Sequence, residues 1–254
     1  MLIDILIIII ATLTTWYASE ILGKGTEATA KRYNIPSSIK GSTLDAVGSS
    51  FPEFCTVIFA LAAGSFEAGL GAVTGSALFN MLVIPGCCVL ATKSDMRINK
   101  EVVCRDGLIY LVTIILLIFV AYIGTPNELN NNLHFIPFWI GLIALILYLF
   151  YIFLLYKYKQ NLNTNYKVDT LRDQELSLSK ILLLLLFGMG GIALSIHFLV
   201  ISSLNLFDAL GISKVIAGVT ILAAATSLPD TFLSVISAKK GQSDAAISNA
   251  LGSN

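Results

Sequence analysis

The chain has 254 residues, of which 56% are hydrophobic and only 13% are charged. A soluble globular domain carries roughly 25% charged residues, so this composition excludes an ordinary water-soluble enzyme. Sixteen basic and 16 acidic residues give a formal net charge of zero, which favours neither nucleic acid nor an acidic macromolecule as partner.

Long apolar segments predict an all-α membrane protein. A helix of about 20 apolar residues crosses a hydrocarbon core roughly 30 Å thick. The sequence contains about eight such segments, near residues 2–22, 38–63, 68–92, 103–123, 134–156, 180–203, 214–238 and from 245 to the end. The first lacks a basic leader and a small-residue cleavage site, so we expect a retained transmembrane helix and no cleaved signal peptide.

The basic residues fall on alternate loops and predict the orientation of the chain. Fifteen of the 16 Lys and Arg follow the first, third, fifth and seventh segments, with Lys24, Lys31 and Arg32 assigned to the first of these loops. Only Lys214 lies on the other side. Because cytoplasmic loops collect Lys and Arg, the N-terminus is predicted to be extracytoplasmic and the loop 157–180 cytoplasmic.

An internal repeat appears at an offset of 177 residues. It aligns nine identical pairs. These are Gly41/Gly218, Thr43/Thr220, Ala46/Ala223, Ser50/Ser227, Pro52/Pro229, Gly64/Gly241, Ala68/Ala245, Gly75/Gly252 and Ser76/Ser253. The orientation prediction makes the two copies cross the membrane in opposite directions. Inverted repeats are typical of secondary transporters, whose substrate sites lie near the midplane on broken helices.

The repeat also predicts how the chain is organised. Residues 1–156 form a first five-helix repeat, 157–179 a cytoplasmic linker loop and 180–254 a second, incomplete repeat. Since the second copy stops inside its third span, we expect this chain to be a fragment that does not exchange ions by itself.

Glu53 and Asp230 lie at the centre of the two copies, each directly after a proline. A carboxylate in mid-membrane is costly and marks a cation pathway or a proton relay, although a neighbouring helix can also satisfy one. Pro52 and Pro229 lack the backbone N–H that would bond the preceding turn, so each frees carbonyl oxygens beside a carboxylate.

Hydroxyl groups flank both carboxylates, from Ser49 and Ser50 in one copy and from Thr226 and Ser227 in the other. Carboxylates, carbonyls and hydroxyls form an oxygen-only cluster with a formal charge of −2, which suits a hard cation such as Ca²⁺. Cysteine and histidine are not needed as ligands. We interpret Cys55, Cys87, Cys88 and Cys104 as packing residues, and His134 and His197 as interfacial or packing residues.

These motifs resemble a known family. The sequences GSSFPE at 48–53 and ATSLPD at 225–230 are similar to the two alpha-repeat signatures of the cation/calcium exchanger superfamily, and GSALFN at 75–80 and GSN at 252–254 to the second element of each repeat. The likeness is to the sodium/calcium exchangers, nearest to the potassium-dependent branch. It implies a fold of five plus five helices in inverted repeats, with broken helices at the centre. It also implies a protein that exchanges Ca²⁺ for Na⁺ by alternating access.

The resemblance also implies the ligands. Glu53 and Asp230 would hold Ca²⁺ together with the backbone carbonyls of Ser49 and Thr226. Na⁺ sites would be completed by Ser50, Ser76, Asn80, Ser227, Ser253 and the carbonyls of Ala46 and Ala223. Ser49 replaces the usual Thr and Ala225 the usual Gly, for which we expect a tuned site. Asp45 either lines the cytoplasmic approach or bonds Ser49.

Two alternatives stay open from the sequence. One is a proton-coupled cation antiporter on the same fold, and the other is a non-transporting membrane scaffold, which would be expected to have lost a carboxylate. The sequence predicts no enzyme activity and no cofactor. At the repeat offset Asn80 aligns with position 257, which is not in the printed sequence, so the residue there cannot be used to judge whether K⁺ is also transported. The oligomeric state also stays open.

Overall fold

The computed structural model of the chain describes residues 1–33, 44, 46–92, 96, 98, 176–239, 241 and 243–253, with isolated positions between 107 and 153. The described residues form helices and turns, and no strand occurs among them. They belong to two compact units, Met1–Asn99 with Asp169–Asn254, and Lys100–Val168. Helices of both predicted repeats share the first unit, while the predicted domain boundaries at 156 and 180 stay a prediction.

The second unit is described only at isolated positions, all of them helical. Residues 107–108, 111–112 and 114–115 lie within the fourth predicted span, and residues between 138 and 153 lie within the fifth. Cys104, His134 and most of the predicted linker lie outside the described residues.

The first unit is built from eight α-helices and two π-helical turns in its described part. The α-helices are α1 (Leu2–Arg32), α2 (Ala46–Ala62), α3 (Phe66–Leu78), α4 (Ile84–Thr92), α5 (Leu178–Leu210), α6 (Lys214–Ala217), α7 (Ala223–Lys239) and α8 (Ser243–Gly252). A π-helical turn at Phe79–Val83 joins α3 to α4, and another at Gly218–Leu222 joins α6 to α7. Among the residues that the structure describes, four continuous helices are long and apolar enough to cross a membrane, namely Leu2–Arg32, Phe66–Thr92, Leu178–Leu210 and Lys214–Lys239.

The first helix is longer than its apolar segment predicts. Lys24, Lys31 and Arg32, assigned above to a loop, lie on α1, so that assignment was wrong. The polar end continues the helix because a Glu27–Lys31 ion pair of 3.0 Å spans one turn and because Gly25 packs against Leu185 of α5.

Large apolar side chains cover the outside of the helices, whereas small and polar ones lie inside. Leu90, Leu186 and Phe187 are among the most exposed residues. Thr15 and Ser195 are buried at the contact between α1 and α5, where a hydrogen bond of 2.8 Å joins their hydroxyls. This distribution suits a lipid solvent, in which helices associate through small residues and hydrogen bonds. The chain is therefore an integral, multi-pass membrane protein.

The helices α1 and α5 pack antiparallel along much of their length. Gly25 of α1 faces Leu185, Leu22 faces Gly188 and Ala18 faces Gly191, so one helix descends as the other rises. Because α1 opens the first repeat and α5 opens the second, this pair has the opposite directions that an inverted repeat requires.

By contrast, α3 runs parallel to the segment from α6 to α7. A Cβ at Gly71 would lie 2.5 Å from the Val215 carbonyl oxygen, and one at Gly75 would lie 2.6 Å from that of Val219. The two backbones therefore touch, with no room for a side chain. The alternation of basic residues predicts the same shared direction for these two spans.

The turns that close the two central hairpins repeat at the predicted offset. Gly64 ends the α2–α3 turn with φ 69°, and Gly241 ends the α7–α8 turn with φ 77°. Their amides donate equivalent 2.9 Å hydrogen bonds, to the carbonyls of Leu61 and Ala238. Both positions use the left-handed backbone conformation that glycine adopts without a steric penalty. The offset of 177 residues is thus visible in the backbone as well as in the sequence.

Candidate cation site between the two repeats

Each half of the candidate site is a helical hairpin, α2–α3 in the first repeat and α7–α8 in the second. Both α2 and α7 run on through their prolines, Pro52 and Pro229. The irregularity lies two to three turns earlier, as the π-helical turn Gly218–Leu222 before α7. Leu44, which aligns with Ile221 inside that turn, is also π-helical. A π-helical turn shifts the backbone hydrogen bonds from i−4 to i−5, and such turns are frequent at functional sites.

A hydroxyl of α7 hydrogen-bonds back to the backbone at this irregularity. The Thr226 hydroxyl donates to the carbonyls of Leu222 at 3.1 Å and Ala223 at 3.2 Å. The Ala223 carbonyl, which the family resemblance implies as a Na⁺ ligand, therefore already accepts a hydrogen bond from a side chain. Its counterpart Ala46 begins α2, and its side chain lies outside the described residues.

The two carboxylates lie inside the protein with one oxygen each free of donors. Asp230 is 3% exposed, and Glu53 is half-buried and close enough to Asp230 for their charges to repel. Glu53 Oε1 accepts a hydrogen bond of 3.3 Å from Ser76. Glu53 Oε2 and Asp230 Oδ2 are buried and have no donor among the residues described. Native proteins rarely leave such atoms unsatisfied, so both oxygens call for a ligand.

Hydroxyl and amide groups connect the two halves directly. The Ser76 and Ser227 hydroxyls are joined by a hydrogen bond of 2.9 Å, and Asn80 Nδ2 donates to the Ser253 hydroxyl at 3.1 Å. Asn80 stands in the π-helical turn after α3. Thr226 lies beside Glu53 of the other repeat. The structure therefore brings predicted residues from both repeats into one polar cluster.

Other predicted residues lie on α2 close to Glu53 in the sequence. Ser49 and Ser50 are half-buried on α2, one turn before Glu53. Within the part of the chain that is described, Ser50 makes no hydrogen bond to the cluster. Asp45 and Asn254 lie outside the described residues.

Sequence reasoning missed two polar residues beside Asp230. Asn249 of α8 donates through Nδ2 to the hydroxyl of Ser234 on α7 at 2.9 Å, and the same Nδ2 is 3.5 Å from the Asp230 carbonyl oxygen. The signal that could have found them is a difference between the two copies: Ser234 and Asn249 are polar, whereas the aligned residues of the first repeat, Val57 and Ala72, are apolar.

Comparison with known families identifies the architecture. A sequence model of the family described as sodium/calcium exchanger protein matches residues 3–157 and 180–254. The chain belongs to this family. The match omits 158–179, which is nearly all of the predicted linker, and it covers both hairpins of the cluster. As a member of the exchanger family, the chain is a membrane ion transporter.

Individual exchangers are similar over much of the chain. The sodium/calcium exchanger MaX1 of Methanosarcina acetivorans is 25% identical over 286 residues, covering 99% of this chain and 79% of that protein. The human sodium/potassium/calcium exchanger 4 is 33% identical over 122 residues. That match covers 48% of this chain and only 18% of the human protein.

Two solved structures share the fold. The sodium-calcium exchanger NCX_Mj, soaked with 2.5 mM Na⁺ and 10 mM Sr²⁺, superposes with a TM-score of 0.59 at 25% identity, covering 99% of this chain and 78% of that one. Native YfkE superposes with a TM-score of 0.70 at 22% identity, covering 97% and 69%. The prediction of an all-α exchanger fold is confirmed.

Proposed function

We propose that this chain carries the ion-binding centre of an antiporter that exchanges Ca²⁺ for Na⁺ by alternating access. The observation that carries the proposal is the pair of carboxylate oxygens, Glu53 Oε2 and Asp230 Oδ2, which are buried and have no donor among the described residues. Two carboxylates can offset the dehydration of one divalent cation. Monovalent Na⁺ needs less charge and more neutral oxygens, which the surrounding hydroxyls and carbonyls supply.

Antiport follows if both ions use the same ligands. Ca²⁺ would take both carboxylates with the carbonyls of Ser49 and Thr226. Na⁺ would share the two carboxylates, and its sites would be completed by the Ser50, Ser76, Ser227 and Ser253 hydroxyls, Asn80 and the carbonyls of Ala46 and Ala223. Since Glu53 and Asp230 belong to either set, the two cations compete. The names of the similar proteins, which include sodium/calcium exchangers, support these ions.

The same proposal includes an orientation with the N-terminus outside and residues 157–180 in the cytoplasm, which rests on the basic-residue asymmetry. Single cysteines introduced near residues 128 and 165, in a variant without the four native cysteines, test it in oriented vesicles. We expect an impermeant maleimide to label the two positions from opposite sides. Labelling of both from one side would refute the orientation.

A proton-coupled exchange is the second candidate, because two mutually repelling buried carboxylates can also exchange a cation for a proton. The deciding experiment is ⁴⁵Ca²⁺ uptake into proteoliposomes of the full-length protein. We expect uptake driven by an outward Na⁺ gradient, unaffected by a protonophore, and abolished when choline replaces Na⁺.

Control liposomes carry Glu53→Gln, which keeps the side-chain size and removes the charge. Uptake that follows a pH gradient without Na⁺ would favour the proton-coupled antiporter. No uptake under either gradient would favour a non-transporting scaffold. A flux of the K⁺ tracer ⁸⁶Rb⁺ that is coupled to the Na⁺ gradient would identify K⁺ as a transported ion.

A further inference from the structure

The second repeat contains a polar contact that the first repeat cannot form. Asn249 Nδ2 donates to the Ser234 hydroxyl at 2.9 Å, and Ser234 is fully buried. The aligned residues of the first repeat are Val57 and Ala72, whose side chains have no polar atoms.

The first hairpin is held together differently at this level. Gly69 of α3 packs against α2, where a Cβ on it would lie 3.7 Å from the Val57 Cα and carbonyl oxygen. In the second repeat the position of Gly69 is taken by the buried Ala246. One hairpin therefore relies on close backbone packing, which has no preferred direction, and the other on a directional hydrogen bond.

The position of this bond relates it to the cation cluster. Ser234 lies one helical turn after Asp230 on α7, and Asn249 lies one turn before Ser253 on α8. Residues four apart share a helix face, so the bond ties the turn that carries Asp230 to the turn that carries Ser253. Ser253 in turn accepts the hydrogen bond from Asn80 of the first repeat.

We propose that Asn249 and Ser234 are positioning residues that hold the Asp230 carboxylate at a fixed distance from the Ser253 hydroxyl, and so set the size of the cation that the site prefers. The proposal rests on the proposed function, namely that this cluster binds Ca²⁺. Ca²⁺ lies 2.3 to 2.6 Å from its oxygen ligands, and the larger Ba²⁺ requires longer distances. A fixed ligand spacing discriminates between these two ions, whereas a loosened spacing accepts both.

Equilibrium binding of Ca²⁺ and Ba²⁺ to the purified full-length protein tests this inference. The variants are Ser234→Ala, Asn249→Leu, which is close in shape but apolar, and the double variant. Breaking a buried hydrogen bond on one side should lower Ca²⁺ affinity about 5- to 20-fold, with a much smaller loss for Ba²⁺. The double variant should lose no more than the worse single variant, because both remove the same interaction.

Thr15→Val is the matched control. It removes the buried 2.8 Å hydrogen bond between Thr15 and Ser195, which joins α1 to α5 outside the cation cluster. We expect it to lower thermal stability and leave the ratio of Ca²⁺ to Ba²⁺ affinity unchanged. Ser234→Ala removes a single oxygen atom, so it keeps the test available if Asn249→Leu does not fold.

An unchanged Ca²⁺ to Ba²⁺ ratio in both Ser234→Ala and Asn249→Leu would overturn the positioning role. The proposed function would still stand in that case, provided that the wild type binds Ca²⁺ and Asp230→Asn abolishes the binding. A wild-type protein that binds no Ca²⁺ would overturn both proposals together.

Discussion

Glu53 and Asp230 occupy equivalent positions 177 residues apart, yet Asp230 is 3% exposed whereas Glu53 is half-buried. Their surroundings differ as well. Glu53 accepts a hydrogen bond from Ser76 of its own repeat, and the Ser76 hydroxyl is also hydrogen-bonded to the hydroxyl of Ser227 in the other repeat. Near Asp230, the second hairpin is instead stabilised by the hydrogen bond from Asn249 to Ser234.

This difference separates what a duplicated motif specifies from what its neighbours decide. The motif supplies a carboxylate after a proline with hydroxyls one turn away, and it does so twice. The exposure of each carboxylate depends on the helices packed against it, and an inverted repeat presents its two copies to opposite sides of the membrane. Residues with the same role therefore need not have the same environment.

The largest expected effect sharpens the comparison of the two carboxylates. We expect Asp230→Asn to lower Ca²⁺ affinity by more than about 100-fold, because at an effective dielectric of about 20 a unit charge beside a divalent ion is worth several kcal/mol. Glu53→Gln should be comparably severe, because Glu53 Oε2 is buried without a donor among the described residues, as Asp230 Oδ2 is.

Ca²⁺ binding and Na⁺-driven Ca²⁺ uptake check this expectation, with protein of each variant matched for folding by size-exclusion chromatography. Near-normal Ca²⁺ affinity in either variant would show that the substituted carboxylate is not a Ca²⁺ ligand. A much smaller loss in one variant than in the other would mean that the two carboxylates do not contribute alike.

The next effect concerns the crossing of α3 with the segment that enters α7. A Cβ at Gly75 would lie 2.6 Å from the Val219 Cα and 2.7 Å from the Ala223 Cβ. Gly75→Ala should therefore overpack the contact between the repeats and cost about 1 to 3 kcal/mol or more. Thermal unfolding of the protein in detergent measures the loss.

Gly190→Ala on α5 is its control, because a Cβ there meets nothing within 4 Å. Alanine is favoured over glycine inside a helix by about 1 kcal/mol, so this variant should be neutral or slightly more stable. A Gly75→Ala protein as stable as Gly190→Ala would contradict the close approach of α3 to the second repeat.

The smallest effect compares two equivalent hydroxyls. Ser227 is fully buried and bonded to Ser76 at 2.9 Å, whereas Ser50 is half-buried and makes no such bond within the described residues. We expect Ser227→Ala to raise the Na⁺ concentration for half-maximal exchange about 3- to 10-fold, through one lost neutral ligand and a lost hydrogen bond. Ser50→Ala should raise it less. The reverse order would mean that the two hydroxyls do not differ as their packing indicates.

Part of the site was readable from the sequence because the repeat itself carries the information. Aligning Pro52 with Pro229 identifies Glu53 and Asp230 as a pair, and opposite crossing directions bring both to mid-membrane. Asn249 and Ser234 escaped because that alignment searches for shared residues, and these two have apolar partners. The full length of α1 was not predicted because hydropathy indicates only where the chain leaves the lipid. The helix itself continues past that point, where it packs against α5.

The sequence by itself determined that the chain is a bundle of membrane helices with an inverted repeat. These properties depend on local apolar length, on the side where basic residues collect and on a fixed offset, all of which are written along the chain. Only the tertiary structure decided which hydroxyl meets which carboxylate. It also decided that a π-helical turn precedes Pro229 and that Asp230 is buried more deeply than Glu53. Those outcomes depend on side chains such as Ser76 and Ser227, which are 151 residues apart and meet only when the two repeats pack.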